Sequence, residues 1–140
     1  MGTVRRGITL QQLQERLQNI PQHAKDNIKQ AVQTAALLVE RDAKINAPVD
    51  TGILRNSISH QISSDGMSAQ VGASVDYADF QEYGTGQRGA SSGVIAPREY
   101  EYGSSRGIPA RPFLGPALLK NRDKIQRLIG NAIKQALQSR

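Results

Sequence analysis

The stretch Val75-Asp76-Tyr77-Ala78-Asp79-Phe80-Gln81-Glu82-Tyr83-Gly84-Thr85-Gly86 decides how the rest of the chain is read. Tyr77, Phe80 and Tyr83 recur every third residue, which on a short helix sets three rings on one face. Asp76, Asp79 and Glu82 repeat with the same period on a neighbouring face. The spacing predicts an aromatic side that packs and an acidic side that stays wet. Asp76 is placed to cap the first turn and Gly84 to stop the helix in a left-handed conformation, so a short helix over 76–84 is expected. The chain has no Trp and only two Phe. Because aromatic rings bury large areas, these three are expected to plug the core, and a purely structural role is the simplest one for the stretch.

Immediately upstream, Ile58, His60 and Ile62 alternate with Ser57, Ser59, Gln61 and Ser63. After Asp65-Gly66, residues Ala69, Val71, Ala73 and Val75 alternate with small polar ones, so a β-hairpin over 55–75 is expected, half buried. Pro48-Val49-Asp50-Thr51-Gly52 reads as a turn in which Asp50 bonds back to the amide of Gly52. Before it lie helices over 9–47. Thr9 caps a stripe of Leu10, Leu13, Leu17 and Ile20, and Pro21 interrupts. A long helix from Gln22 to Asn46 then carries Ala24, Ile28, Ala31, Val32, Ala35, Ala36, Val39 and Ala43, and Pro48 forbids its continuation. A stripe so rich in alanine suits close approach to a sheet or to a helix of another subunit. Lys25, Lys29, Glu40, Arg41, Asp42 and Lys44 are assigned to its solvated face.

Downstream, residues 87–108 shift to Gly, Ser, Arg and Pro, and a flexible arm is expected there, either functional or ordered only on binding. Val94-Ile95 and Tyr100-Glu101-Tyr102 are candidates for a short hairpin within it. Three prolines, Pro109, Pro112 and Pro116, stiffen the approach to a C-terminal helix over 116–138. Its stripe is Leu118, Ile125, Leu128, Ile129, Ala132, Ile133, Ala136 and Leu137. Phe113, fixed behind Pro112, is expected to join Tyr77, Phe80, Tyr83, Leu114, Ile58 and Val71 in one cluster. The fold class is therefore α+β: a small antiparallel β-sheet packed against a long N-terminal helix and a C-terminal helix, with a long Gly-rich loop.

At 140 residues the chain fits one domain, 1–140, able to bury a core without staples. No cysteine is present, so disulfides and thiolate metal sites are excluded. Residues 1–7 hold Arg5 and Arg6 without a following apolar run, and no stretch is apolar enough to span a bilayer; neither a signal peptide nor a membrane anchor is expected. The formal net charge is +6. It concentrates from Arg111 onward, where Arg111, Lys120, Arg122, Lys124, Arg127, Lys134 and Arg140 face one acid, Asp123. An acidic partner is implied, though not base reading.

Motifs that carry chemistry are present only in letters. Asp50-Thr51-Gly52 matches the aspartic-protease triplet, yet a helix precedes it and Ile53-Leu54-Arg55 follows, the wrong context for a catalytic aspartate. Gly84-Thr85-Gly86-Gln87-Arg88-Gly89 satisfies the dinucleotide fingerprint but follows a helix instead of a strand and runs into a loop. His23 and His60 stand alone, read as a surface and a strand histidine. Neither Ser57 nor Ser59 has a recognisable base. No enzyme and no cofactor are expected.

Four blocks taken in order carry a resemblance. They are Ala47-Pro48-Val49-Asp50-Thr51-Gly52-Ile53-Leu54-Arg55-Asn56-Ser57-Ile58, Val71-Gly72 with Val75-Asp76-Tyr77-Ala78, Glu82-Tyr83-Gly84-Thr85-Gly86, and Pro109-Ala110-Arg111-Pro112-Phe113-Leu114-Gly115-Pro116-Ala117. Together they resemble a family of tailed-phage minor structural proteins, the HK-ninety-seven gene-product-ten-like family of tail-component, neck or tail-completion proteins. The resemblance covers about residues 47–117, and the long 87–108 segment departs from it. It implies a ring, six-fold or twelve-fold, at the head–tail junction of a virion, assembled in the host cytoplasm with head-closure and tail proteins. It also marks Asp50, Thr51, Gly52, Leu54, Tyr77, Phe80, Tyr83, Gly84, Gly86, Arg111, Pro112 and Phe113 as structural motif or core residues. Lys120, Arg122, Lys124, Arg127 and Lys134 are candidates to face packaged DNA in such a ring, contacting phosphates without reading bases. The alternative is a non-sequence-specific nucleic-acid-binding module built on the basic C-terminal helix.

Overall fold

The computed structural model describes residues 9–138, so the expectations for residues 1–7 and Arg140 lie outside them. Helix α1 (Leu10–Gln18) opens on a capping box: the Gln12 N–H donates to the Thr9 hydroxyl at 3.2 Å, and the Thr9 N–H to the Gln12 side chain at 3.1 Å. Helix α2 (Gln22–Asn46) follows Pro21 and ends at Ala47, whose extended backbone suits the residue before Pro48. The last helix, α6 (Leu114–Gln138), starts two residues earlier than expected and runs antiparallel to α2. Two cores join them. One holds Val39, Ala43, Ala47, Leu54, Ile58, Ala78, Phe113 and Ala117; the other holds Ala24, Ile28, Ala31, Ala132 and Ala136. Alanine on both helices lets their backbones approach closely, so the stripe on α2 meets a helix of its own chain along most of its length.

The turn after Pro48 leads not into a strand but into a one-turn helix, α3 (Ile53–Ser57). Gly52, at φ 81°, bends the chain into it, and Leu54 is buried while Ile53 stays outside. Arg55 reaches back to donate from Nε to the Lys44 carbonyl at 3.0 Å, satisfying an orphan acceptor at the end of α2. The turn's side-chain bond comes from Thr51, whose hydroxyl accepts from the Ile53 N–H at 3.4 Å, instead of from Asp50. Strands β1 (Ile58–Ile62) and β2 (Ala69–Ala73) then pair antiparallel, with Ile58 opposite Ala73 and His60 opposite Val71. The hairpin is thus shorter than 55–75. Its turn closes on Gly66 at φ 73°, with the Asp65 carboxylate accepting from the Met67 N–H at 2.9 Å.

Helix α4 (Ala78–Tyr83) is where the sequence reading and the structure part. Its N-cap position is Tyr77, with no side-chain cap bond, so Asp76 does not serve as the cap. A six-residue helix has room for one inward face, and Ala78 and Glu82, four apart, take it at 8% and 5% exposure. The rings turn the other way: Tyr77 is 39% exposed and Phe80 48%. Phe113, Ile58, Leu114 and Val71 do share a cluster, but it closes without Tyr77, Phe80 and Tyr83. A further short helix, α5 (Gly86–Ala90), occupies the start of the segment expected to be a flexible arm. Residues 91–113 have no regular helix or strand, so the hairpin expected there does not form.

Candidate assembly site

Glu82, buried on α4, accepts three backbone hydrogen bonds. One carboxylate oxygen accepts from the N–H groups of Phe113 at 2.8 Å and Leu114 at 3.0 Å; the other accepts from Gly115 at 2.9 Å. These donors open the first turn of α6, where backbone N–H groups lack intrahelical partners and the helix dipole is positive. A side chain from α4 therefore caps a helix more than thirty residues further along the chain. Pro112 sets the approach and Phe113 fills the core beneath at 0% exposure. The acid assigned to the wet face is thus buried, and sequence reasoning missed it because its partners are backbone groups distant in sequence.

The Gly84-Thr85-Gly86 corner holds the long segment against the body. The N–H groups of Thr85, Gln87 and Arg88 donate to the carbonyls of Ile108, Ser105 and Arg106 at 2.9, 2.9 and 3.1 Å, and Gly86 donates to Tyr102. The Ile108 N–H returns a bond to the Thr85 hydroxyl at 3.1 Å, and the Tyr100 hydroxyl donates to the Gly84 carbonyl. Tyr83, Tyr100 and Tyr102 meet in series, the first pair tilted and the second edge to face, at centroid distances of 5.0 and 5.1 Å. Burial, and next the Glu82 charge for Tyr83 or the Asp79 charge for Tyr100, push both phenols above their usual range. A Cβ on Gly84 would lie 2.6 Å from the Ala110 nitrogen, and one on Gly107 would lie inside contact distance of the Thr85 carbonyl. The glycines of the dinucleotide-like string are there for backbone packing.

Three of the four sequence blocks meet around a cleft of about 380 Å³ on one side of α4, lined by Pro48, Asp50, Thr51, Gly52, Tyr77 and Arg111 among others, with Gln81, which precedes the remaining block, beside them. Asp50, Thr51 and Arg111 are exposed, Leu54 is buried, and the Arg111 N–H donates to the Gln81 carbonyl at 2.7 Å. Across α4 lies a larger apolar groove of about 770 Å³ between α2, β2, the 94–95 loop and α6. Val32, Val39, Val71, Tyr83, Pro112, Leu118 and Ile129 are among its walls.

Two polar ties were not foreseen. Asp42, assigned to solvent, is 2% exposed and accepts from Asn121 Nδ2 at 2.6 Å and from Arg41 Nε at 3.2 Å. The Asn121 hydrogen bond first, then that from Arg41, holds its carboxyl below the usual range. Lys120 adds a pair at 3.7 Å. The available signal was Asn121, one turn after Ala117 inside an otherwise apolar stripe. His60 is not alone either: it pairs with Glu40, which also accepts from Lys44 at 2.8 Å. Lys44 and then His60 lower the Glu40 pKa. The five basic candidates separate by helical spacing. Lys124, Arg127 and Lys134 share the side of α6 away from α2, Lys120 stands at the edge of that side and reaches back to Asp42 of α2, and Arg122 falls on the groove side with Leu118 and Ile129.

Among the described residues no group of His, Cys, Asp and Glu is placed to hold a metal ion, and no helix is long and apolar enough to cross a membrane. The family model described as "Bacteriophage HK97-gp10, putative tail-component" matches residues 11–84, slightly more than half of the chain. The chain belongs to this tail-component family. No curated protein and no solved structure matches it. The HK97-gp10-like match spans α1 to the end of α4, and so includes Glu82 but not the α6 turn it caps. Tail-component membership makes the protein a structural part of a bacteriophage particle that meets other phage proteins.

Proposed function

We propose that the protein is a head–tail junction component, a neck, tail-completion or tail-terminator subunit that assembles as a six- or twelve-fold ring around the DNA passage. Family membership carries this reading. Its support in the geometry is a chain whose functional-looking residues are spent on capping, close backbone packing and exposed apolar faces. The test is to image the purified protein and assembled particles: closed rings at the tail-proximal vertex are expected, and location along the tail tube would refute the junction assignment.

A second reading is favoured by one observation, the strip of Lys124, Arg127 and Lys134 on the outer side of α6, with Lys120 at its edge beside Asp42. Within a ring this strip would face the lumen and hold phosphates without base readout; without a ring it would serve a non-specific nucleic-acid-binding module. Replacing Lys120, Lys124 and Arg127 by Gln is expected to leave the ring intact and flatten the salt dependence of DNA binding. Loss of the ring instead would assign these charges to subunit contacts.

A further inference from the structure

Two apolar surfaces on different sides of α4 are left open within one chain. One is a knob: Phe80, 48% exposed, and Tyr77 project on the side of α4 opposite the buried Glu82. Asp76 and Asp79, both exposed, precede Phe80 by four residues and one. The other is the groove of about 770 Å³ beside Tyr83, with Leu118 and Leu119, 56% and 70% exposed, at its edge. Arg122 stands one turn after Leu118 on the same helix side. Neither Arg122 nor the two aspartates is in an ion pair among the described residues. An acid-flanked aromatic knob and a basic-edged apolar groove of one chain are complementary, and because they point to different sides of α4 a chain cannot close the pair on itself.

We infer that the α4 knob of one copy seats in the α2–β2–α6 groove of the next, with Asp76 and Asp79 against Arg122. The inference rests on the ring reading above and names its subunit contact. Such a contact uses two different patches, so it is head-to-tail and propagates until the rotation closes a ring. An aromatic anchor in a desolvated pocket supplies affinity, and the flanking charges fix register.

The experiment uses two full-length variants, Phe80→Glu to destroy the knob and Leu119→Glu to block the groove. Both positions are exposed, so each variant should keep the wild-type secondary structure by circular dichroism. By sedimentation velocity each alone is expected to lose self-association by roughly thirtyfold or more, the effect of removing one anchoring aromatic or its pocket. Mixed in equal amounts, they retain one intact junction per pair and should give dimers and nothing larger. Assembly of either variant alone, or a mixture that stays monomeric, overturns the inference while wild-type rings leave the ring reading standing. A wild type that is monomeric in solution and in particles overturns both. Leu119→Glu that self-assembles normally but fails to enter particles would give the groove to another phage protein and also overturn it.

Discussion

A carboxylate sealed under the first turn of α6 has to satisfy three backbone donors at once, and only the ionised form of Glu82 offers enough acceptor sites without a competing donor. Glu82→Gln keeps the size but places an amide NH2 against N–H groups. It should destabilise the protein by about 1–3 kcal/mol, the cost of a buried group left unsatisfied. Denaturant unfolding checks this against Glu101→Gln, an exposed control; equal midpoints would show that the cap contributes little. The two phenylalanines make the complementary case. Phe113→Ala empties a site with 0% exposure and should cost about 3–5 kcal/mol or give insoluble protein. Phe80→Ala removes a ring half in solvent and should leave the unfolding midpoint of the subunit nearly unchanged. A similar loss for both would mean that Phe80 is sheltered in the folded subunit.

Elements with a long, uniform period were legible: the α2 stripe, its end before Pro48, the hairpin pairing and its Asp65-Gly66 turn all stand as the residues suggested. What failed were short elements whose facing is set from outside. Nothing in Ile53–Ser57 distinguishes a helical turn from the first residues of a strand until Gly52 and the Arg55 bond to Lys44 are seen. The face of α4 is likewise chosen by the α6 N-terminus, which outweighs the aromatic spacing. The long segment reads as flexible because its residues are small and polar, yet its glycines permit backbone contacts that side chains would block. Gly107→Ala, at φ 66° and against the Thr85 carbonyl, should therefore detach the corner, whereas Gly103→Ala meets open space and bears only the strain of its positive φ. Limited proteolysis after Arg106 should accelerate strongly in the first and modestly in the second. Equal cleavage of both would show that the corner bonds do not restrain the segment.

The whole molecule hangs on α2, which meets α6 along its length and the hairpin near its end, and each contact includes one carboxylate with a lowered pKa. Asp42 joins α2 to Asn121 of α6, and Glu40 joins it to His60 of β1. Both carboxyls lie below their ordinary values of 3.8 and 4.5 in the folded chain. A depressed carboxyl stabilises the native state above its unfolded value, and that contribution is lost as pH falls through the folded one, because the unfolded chain takes up the proton first. Stability should therefore be level in these two groups from neutrality to about pH 5 and decline below it. Acidification also raises the net positive charge and with it general repulsion, so the decline alone does not identify the tie. Asp42→Asn separates the two effects, since the amide removes the titrating group at the α2–α6 contact. Its unfolding midpoint should be lower than wild type at neutral pH and fall less steeply between about pH 5 and pH 3. Parallel curves for Asp42→Asn and wild type would mean that the α2–α6 tie contributes no pH-dependent stability.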